Sequence, residues 1–362
     1  MIRVYPIPPV LIDNPYLDLL YTPMAGWPEV EVRRTRPLRR SLLALLTTPA
    51  PHPSTIVHLH FFDEICQRPS RAETAIRTAA FIALLRLLRR RGVRLVWSAH
   101  NLMPHEPYHP DLAERLYRQV VALSHAVIAF SSPVADDLVA RYGQPRHLAV
   151  IPHGHTIGQR GPKPAQAEAR ARLNLPAKAF IYLCLGTWRP YKGLEDAIAA
   201  FAQLTVGARH AVPALSSILI IAGQPKVPGY AALLQAMADQ VPGVRLIPGR
   251  VPDEAMASYW AAADVAVFAY RRLTNSGALL EAMSYGLPVI APDVPAVREL
   301  VREGETGFLF APGDTASLRA AMQRAQAHPA LATLGQAALD CVRQFNWEAI
   351  ASQTLEVYRA VA

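Results

Sequence analysis

Short apolar runs alternate with helical patterns along most of the chain. In the first half, runs that predict strands lie at residues 30–34, 55–61, 93–100, 125–131 and 147–154. Amphipathic patterns between the later runs predict helices at about residues 71–91, 111–123 and 133–142. Strands that alternate with helices form parallel sheets covered on both faces. The first half therefore predicts an α/β domain.

The second half repeats this design without repeating the sequence. Its predicted strands lie at residues 179–186, 217–223, 244–249, 264–270, 287–292 and 306–312. A stretch rich in glycine, proline and polar residues separates the halves. We therefore predict a first domain at 1–157, a linker at 158–172 and a second domain at 173–340. Residues 341–362 predict an amphipathic helix that either stays with the second domain or crosses back to the first.

Two open α/β domains are expected to face each other across a cleft. Ligands of such sheets bind outside the carboxyl ends of the strands, and in both halves the distinctive polar residues follow predicted strands. The sequence therefore predicts one binding site shared by two domains.

The composition indicates an intracellular protein with an anionic partner. The 362 residues include 37 lysines and arginines against 28 acids, which favours nucleotide phosphates, an acidic lipid surface or nucleic acid. Nucleic acid is the least favoured of these, because no binding motif appears and the arginines are not interleaved with aromatic residues. Cys66, Cys184 and Cys341 show neither disulfide nor zinc spacing, so we expect a reducing cytoplasm.

The amino-terminal residues lack a secretory signal pattern, and the longest apolar stretch is too short and too charged to span a bilayer. That stretch, residues 78–88, contains Arg86 and is followed by an arginine run at 89–91. A second basic group lies beside an apolar run and consists of Arg33, Arg34, Arg36, Arg39 and Arg40. Two interpretations remain open for both groups: an exposed helix face, or docking on an anionic membrane surface.

Two loops in the second half predict a diphosphate site. The string TNSGALLEAMSYGLPVIAPD at 274–293 places Ser276 and Gly277 at the start of a helix, where backbone N–H groups bind anions. The string LGTWRPYKG at 185–193 places Arg189 and Lys192 on a loop between a strand and a helix. Glu281 lies in an otherwise apolar helical segment, where an acid needs a partner, and ribose hydroxyls would supply one.

Histidines, acids and an amide lie at or just after the carboxyl ends of the predicted strands in the first half. The positions are His58, His60, Asp63, His100, Asn101, His105, Glu106, His153 and His155. A histidine after a strand either bonds backbone carbonyls or belongs to a site, and both interpretations stay open. No carboxylate stands at a familiar metal-ligand spacing, so we expect no metal.

These motifs resemble the GT-B nucleotide-sugar glycosyltransferases. Residues 180–315 resemble glycosyltransferase family 4 (group 1) through LGTWRPYKG, GRVPDEAMASYW, SGALLEAMSYGLPVIAPD and GETGFLFAPGD. In the first half, NPYLDLLY, VHLHFFDEI, SAHNLMPHE and IPHGH resemble the GDP-mannose:glycolipid β-mannosyltransferases of bacterial exopolysaccharide assembly. The resemblance implies two Rossmann-like domains, the first binding the acceptor and the second the nucleotide sugar.

The resemblance also implies roles for the matching residues. Arg189 and Lys192 would neutralise the donor diphosphate, Ser276 and Gly277 would donate backbone hydrogen bonds to it, and Glu281 would bind the ribose. Further substrate contacts would come from Arg250 and Val251 beside the base, and from Asn101, His105 and His153. No metal or other cofactor is implied beyond the donor substrate.

One position departs from the pattern of retaining family 4 enzymes. Those enzymes carry a glutamate eight residues before the equivalent of Glu281, where this chain has Leu273. The departure favours an inverting reaction, which needs a general base to deprotonate the acceptor hydroxyl. The first domain offers four candidates for this base: Asp63, Glu106, His100 and His105. We favour Asp63 or Glu106 as the base, with His100 as a contact to the sugar or transition state.

We therefore expect a glycosyltransferase that moves a hexose, mannose from GDP-mannose, to a polyprenyl-linked saccharide. It would act in the cytoplasm, peripherally on the inner face of the cell membrane. Three alternatives stay open: a retaining family 4 transferase with another nucleotide sugar, a sugar-nucleotide epimerase, and a non-catalytic partner that only binds nucleotide sugar.

Overall fold

The chain folds as two units, each built on a parallel six-stranded sheet. The structure is a computed structural model that describes residues 1–11, 14–34, 45–46, 52, 54–208 and 217–362. The first unit comprises residues 1–154 and 345–362, and the second comprises residues 155–344. Arg36, Arg39 and Arg40 of the predicted basic group lie outside the described residues.

The first unit confirms the predicted strands and helices. Its strands are β1 (Ile2–Ile7), β2 (Val30–Val32), β3 (Thr55–Leu59), β4 (Arg94–Ser98), β5 (Ala126–Ala129) and β6 (Leu148–Val150). Its helices include α1 (Tyr16–Tyr21), α2 (Arg71–Arg90), α3 (Pro110–Leu123) and α4 (Ser132–Tyr142). The strand order is β2-β1-β3-β4-β5-β6, so the order reverses between β1 and β3.

Strand β1 was not predicted, because three prolines in the first nine residues obscure its pattern. It nevertheless lies inside the sheet, paired with β2 and β3. Successive residues donate to alternate neighbours, as Ile2 N donates to Glu29 O and Arg3 N to Ser54 O. The backbone nitrogen of Pro6 therefore points toward β2, but the last β1–β2 pair is Val4 with Val32, so β2 has already ended at this position. A missing N–H at this position costs the sheet no hydrogen bond.

The second unit also follows its predicted pattern. Its strands are β7 (Phe180–Leu185), β8 (Ser217–Gly223), β9 (Val244–Pro248), β10 (Val265–Val267), β11 (Val289–Pro292) and β12 (Gly307–Phe310). Its helices include α5 (Gln166–Arg172), α6 (Leu194–Ala208), α7 (Tyr230–Ala238), α8 (Asp253–Ala262), α9 (Gly277–Ser284), α10 (Pro295–Arg298), α11 (Thr315–Ala327) and α12 (Leu331–Arg343). The segment 158–172, predicted as a linker, contains α5 and belongs to this unit.

The sheet of the second unit has the strand order of a Rossmann-like, doubly wound fold. The strands run β12-β11-β10-β7-β8-β9, and all pairs are parallel. The order reverses between β7 and β10, and ligands of such sheets bind at the carboxyl ends of the strands beside this reversal. The loops after β7 and β10 are therefore where the fold itself predicts a ligand.

The last helix, α13 (Trp347–Val361), belongs to the first unit. Asn346 caps its amino end, with Oδ1 accepting a hydrogen bond from Ala349 N at 2.8 Å. The Trp347 ring occupies the space beside Gly154, where an added Cβ would lie 2.3 Å from the ring. Only glycine fits there, so this contact fixes the start of α13 against the end of the first unit's main segment.

Candidate active site

The two loops predicted to bind a diphosphate flank the strand-order reversal of the second unit. The loop after β7 leads through a short 3-10 turn, Pro190–Lys192, into α6, and the loop after β10 leads into α9. A small cavity lies at the carboxyl ends of β7 and β10 and is lined by Cys184, Leu185, Gly186, Thr187, Trp188, Lys192, Leu194, Val267, Phe268 and Tyr270. The loops that the sequence predicts to bind a diphosphate are therefore the same loops at which the strand order predicts a ligand.

Glycines allow the two loops to approach each other. Gly193 has a φ of +59°, and an added Cβ would lie 2.2 Å from the carbonyl oxygen of Ala269. Gly186 has a φ of +134°, and an added Cβ would lie 3.1 Å from Lys192 Nζ. Side chains at either position would be strained by both backbone conformation and space. The loop after β7 can thus touch the loop after β10 and enclose Lys192.

Lys192 is a buried cation at the centre of this region. It is only 9% exposed, and its Nζ lies 5.4 Å from the centre of the Tyr270 ring. Burial lowers the pKa of its ammonium group. Among the described residues, no carboxylate forms an ion pair with it. A buried charge without an acid is costly, so the fold retains at this point a cation suited to an anionic ligand.

An arginine that sequence reasoning did not single out holds the two loops together. Arg271, which follows β10, binds Asp196 through both carboxylate oxygens at 2.8 and 2.9 Å and Glu195 at 2.9 Å. Its backbone N–H also donates to Tyr191 O at 2.9 Å. The two acids occupy the first turn of α6, next to Lys192. Arg271 therefore neutralises negative charge that would otherwise oppose an anion at Lys192.

Helix α9 begins where the sequence predicts. Ser276 is its cap, with Oγ accepting a hydrogen bond from Leu279 N at 3.2 Å, and its hydroxyl also bonds Tyr270. The first-turn N–H groups of a helix have no acceptor within the helix. A Cβ added at Gly277 would meet no heavy atom within 4 Å, so open space adjoins this helix end.

Glu281 has a protein partner, which corrects the expectation that a ribose is needed to stabilise it. Arg160 Nε donates to Glu281 Oε1 at 3.1 Å, and Arg160 Nη1 lies 2.6 Å from Asp253 Oδ2. The Arg160 and Glu281 side chains are only 14% and 13% exposed. Arg160 comes from the predicted linker, 121 positions away, so no local pattern points to it. Its place leaves Glu281 a second oxygen for a ligand.

The loop at 249–254 carries the two residues predicted to border the base. Arg250 is exposed and lies 3.9 Å from Asp253 Oδ1, while Val251 is buried. Arg189 is half-buried before the 3-10 turn, and its carbonyl oxygen accepts from Lys192 N at 3.0 Å. These residues stand on loops at the carboxyl ends of β7 and β9, as predicted, and their roles stay predictions.

In the first unit, Asp63 and Asn101 lie together after β3 and β4. Asp63 is in a 3-10 turn, Asp63–Ile65, where its carboxylate accepts hydrogen bonds from Tyr117 Oη and from the Asn101 side chain. Burial raises the pKa of Asp63, while these two hydrogen bonds act in the opposite direction. Sequence reasoning did not identify Tyr117, which comes from α3.

His58 of β3, with His60 and His100 after β3 and β4, forms buried hydrogen bonds with tyrosines. Tyr21 Oη lies 2.7 Å from His60 Nε2, and His60 Nδ1 lies 3.3 Å from His100 Nε2. His58 Nδ1 lies 2.6 Å from Tyr358 Oη of α13, and its Nε2 lies 2.9 Å from Ser98 Oγ. Every neutral imidazole offers one donor and one acceptor, so the tautomer of each ring constrains the next. His100, stacked on Phe61 at 3.9 Å, ends this series of hydrogen bonds.

Burial keeps these histidines neutral and makes the fold sensitive to acid. It lowers the pKa of His58 to about 3 and lowers those of His60 and His100 well below the usual value. In the unfolded chain the pKa of each histidine is about 6.5. Above about pH 6.5 the histidines are neutral in both states and do not reduce the free energy of unfolding. As the pH falls from about 6.5 toward the pKa values of the folded state, only the unfolded chain takes up protons, so the free energy of unfolding decreases.

We therefore expect the free energy of unfolding of the first unit to fall below pH 6.5. Each buried histidine should contribute a slope of about 1.4 kcal/mol per pH unit. Urea midpoints measured between pH 7.5 and pH 5 test this, and His58→Gln should show a shallower slope than the unchanged chain. Equal midpoints across this range would contradict buried, neutral histidines.

The remaining predicted contacts of the first unit are half-buried. His153 packs 5.1 Å from the Tyr16 ring and 5.6 Å from the Trp347 ring, between ring centres, and burial lowers its pKa to about 4. The Glu106 carbonyl oxygen accepts from Gln67 Nε2 at 3.3 Å, and His105 precedes it in the same loop. Within the described parts of the chain, no group of histidines, cysteines and acids has an arrangement that could hold a metal.

Family models cover most of both units. Residues 21–157 match the model of Glycosyltransferase Family 4, and residues 179–328 match the model of Glycosyl transferases group 1. The D-inositol 3-phosphate glycosyltransferase of Streptomyces avermitilis is 33% identical over 69% of this chain and 55% of its own length. That of Rhodococcus opacus is 33% identical over 74% of this chain and 62% of its own length. The chain thus spans less than two thirds of these relatives, and neither is a GDP-mannose mannosyltransferase.

Solved structures share the fold along the whole chain. A sucrose-phosphate synthase from Thermosynechococcus elongatus matches with a TM-score of 0.74 and 23% identity, covering 100% of this chain and 99% of that one. Anabaena HepE in complex with UDP and glucose also matches with a TM-score of 0.74, at 18% identity, covering 99% and 100% of the two chains. With two parallel six-stranded sheets, the chain has the GT-B fold, and it matches a family 4 glycosyltransferase model followed by a group 1 glycosyltransferase model.

Proposed function

We propose that the chain transfers a hexose from a nucleoside diphosphate sugar to an acceptor hydroxyl. The observation that carries the proposal is Lys192, a buried ammonium group with no acid partner among the described residues, at the strand-order reversal. A diphosphate would supply the missing negative charge. The same group becomes more negative as the bond to the sugar breaks, so the cation stabilises the transition state more than the bound donor.

Three further features support a diphosphate at this point. Arg189 stands on the same loop as Lys192, and the first-turn amides of α9 border open space at Gly277. Arg271 holds Glu195 and Asp196, which keeps their charge from opposing the ligand. Positioned cations and helix amides need little rearrangement when negative charge develops, which is the basis of electrostatic catalysis.

We assign Glu281 to the ribose hydroxyls, with Arg160 holding its carboxylate in place. Glu281→Gln should raise the Kd of UDP or GDP about tenfold or more, because a hydrogen bond to a charged group contributes about 1.5–3 kcal/mol. The matching 2′,3′-dideoxynucleotide lacks the hydroxyls and should bind the variant and the unchanged chain alike. Titration calorimetry with both nucleotides tests the assignment, and an equal loss for both would contradict it.

We assign the role of general base to Asp63, with Glu106 as the second candidate. Its raised pKa brings a carboxylate closer to the pH at which it can take a proton, and Tyr117 and Asn101 orient it. His100 is assigned a contact to the sugar or transition state. Since Leu273 replaces the first acid of retaining enzymes, we propose inversion at the anomeric carbon. Proton NMR of the anomeric coupling in the product separates inversion from retention.

The donor and acceptor are proposed from the motif resemblance: mannose from GDP-mannose, passed to a polyprenyl-linked saccharide in exopolysaccharide or cell-envelope assembly. The named relatives favour other partners, since two are D-inositol 3-phosphate glycosyltransferases and HepE was solved with UDP and with UDP-glucose. A thermal-shift panel of UDP, GDP, ADP and their sugars decides between them. A selective shift with GDP and GDP-mannose supports the mannosyl assignment, and a UDP preference overturns it.

A lipid-linked acceptor would place the enzyme at the inner face of the cell membrane. Within the described residues, no helix has the length and apolar character needed to cross a bilayer. We therefore propose peripheral association in the cytoplasm.

A further inference from the structure

Helix α2 carries apolar side chains on the side that faces away from the sheet. Its buried side packs on the first unit through Thr74, Thr78, Phe81, Ile82, Leu85 and Leu88. Its opposite side exposes Ala72, Ile76, Ala80, Ala83 and Leu87, here called the outer face of α2. Ile76 is 70% exposed and Leu87 is 45% exposed. A surface helix ordinarily carries charged or polar residues at such positions, so this face is unusual for contact with water.

The carboxyl end of the outer face is basic and lacks acids. Arg86 and Arg90 are exposed beside Leu87, and Arg86 donates to the neutral Gln119 at 2.7 Å. Among the described residues, no carboxylate forms an ion pair with Arg86, Arg89 or Arg90. Arginines at the other end of α2 are paired instead, as in Arg71 with Asp111 at 2.6 Å.

Neighbouring strands extend this basic end. Arg94 begins β4, and Arg146 precedes β6 by two residues. Burial and the charges of Arg89, Arg94 and Arg146 lower the pKa of His125, the residue before β5, to about 4, so this imidazole is neutral and the positive charge comes from the arginines. The β5–β6 register pairs Val127 with Leu148, which aligns the positions of His125 and Arg146 at the amino ends of their strands. Burial and the charges of Arg146 and Arg94 lower the pKa of Arg89. Positive charge is thus concentrated beside one end of an apolar face.

We propose that the outer face of α2 lies on the surface of an anionic phospholipid bilayer. Ile76 and Leu87 would enter the boundary between headgroups and acyl chains, and Arg86 and Arg90 would contact lipid phosphates. The outer face of α2 would be the surface through which the proposed membrane association occurs. This proposal rests on the proposed function only in placing the protein at a membrane. An interfacial helix of this kind combines an exposed apolar stripe with arginines that reach past it to the headgroups.

The chemistry of the face favours lipid over a protein partner. The two bulky residues lie eleven positions apart, on the same side of the helix and about 16 Å apart along its axis, with alanines between them. A protein interface typically concentrates its energy in a central cluster of large side chains, which this face lacks. Arg86 and Arg90, which have no ion-pair partner among the described residues, complement acidic headgroups instead, at about 1 kcal/mol for each arginine.

Vesicle flotation with the full chain tests the proposal. The chain should bind phosphatidylcholine vesicles containing phosphatidylglycerol and bind pure phosphatidylcholine more weakly. Changing Ile76 and Leu87 to glutamine together should lower the partition coefficient about tenfold or more, and each of Arg86→Gln and Arg90→Gln should lower it about fivefold. Leu233→Gln is the matched control, because Leu233 is a 50% exposed residue on α7 of the second unit.

Three outcomes would overturn the proposal. The first is that the unchanged chain does not bind the anionic vesicles. The second is that the α2 variants and the Leu233 control bind these vesicles equally. The third is that the unchanged chain self-associates in solution and only the α2 variants lose this self-association. Thermal shifts with UDP and GDP are measured in parallel on every variant. If the α2 variants lose vesicle binding but keep their thermal shifts with UDP and GDP, the result supports the outer face of α2 as the membrane-binding surface. If the unchanged chain shows no thermal shift with either nucleotide, the result counts against the proposed function alone.

Discussion

Lys192→Ala is expected to lower kcat/KM for sugar transfer or donor hydrolysis by about 10²–10³-fold, the usual effect of removing a group that stabilises transition-state charge. Lys192 is 9% exposed and has no ion-pair partner among the described residues, so a bound diphosphate would be its main counter-charge. Steady-state kinetics with the donor identified by the nucleotide panel measures this effect.

Removing the charge of Lys192 should lower activity but raise the stability of the ligand-free protein. Burial lowers the pKa of Lys192, so the folded state disfavours its charge, and Lys192→Met should raise the urea midpoint at neutral pH. Lys178→Ala is the matched control, because Lys178 is exposed on the same unit and should change neither property. Near-normal turnover in Lys192→Ala would contradict the diphosphate assignment, whereas a lower midpoint in Lys192→Met would show that the lysine stabilises the empty fold.

Arg170→Met is expected to cost about 3–5 kcal/mol of the free energy of unfolding of the second unit. Arg170 is buried and donates to Ala262 O at 3.0 Å, to Ala177 O at 2.5 Å and to Asp264 Oδ2 at 2.7 Å. Asp264 Oδ2 also accepts from Ile181 N at 2.7 Å. The arginine therefore ties α5 to the amino ends of β7 and β10, and the carboxyl ends of these two strands lead into the loops that carry Lys192 and Ser276.

Arg172→Met supplies the control on the same helix. Its ion pair with Glu168 at 2.5 Å is exposed, with side chains 58% and 53% accessible, so its loss should change stability by less than about 0.5 kcal/mol. Urea unfolding of both variants measures the difference. Equal effects would mean that the Arg170 contacts add no more than a surface pair.

The sequence predicted most of the fold because hydrophobic periodicity is a local signal. Strand β1 was missed for a reason that is not local: Pro6 is tolerated only because β2 ends at Val32, before the pairing position that Pro6 would occupy. The end of the linker was also misplaced, since Gln166–Arg172 forms a helix despite the prolines and glycines before it.

Some residues of the candidate site were predictable from local sequence, and others were not. Lys192, Ser276 and Gly277 belong to contiguous motifs, so their place at loop and helix starts was predictable. Arg160 reaches Glu281 from 121 positions away, and Arg271 reaches Asp196 from 75 positions away. Tyr117 reaches Asp63 in the same non-local way. Partners fixed by tertiary packing leave no periodic signal in a single sequence.

The most direct test of the central claim compares the binding of nucleosides and nucleoside diphosphates. We predict that the unchanged chain binds UDP or GDP at least about tenfold more tightly than the matching nucleoside, because a phosphate contact to a cation contributes about 1.5–3 kcal/mol. Lys192→Ala should lose most of this difference while binding the nucleoside normally. Equal affinity for nucleoside and diphosphate in the unchanged chain, or an undiminished preference in Lys192→Ala, would contradict a donor diphosphate held at Lys192.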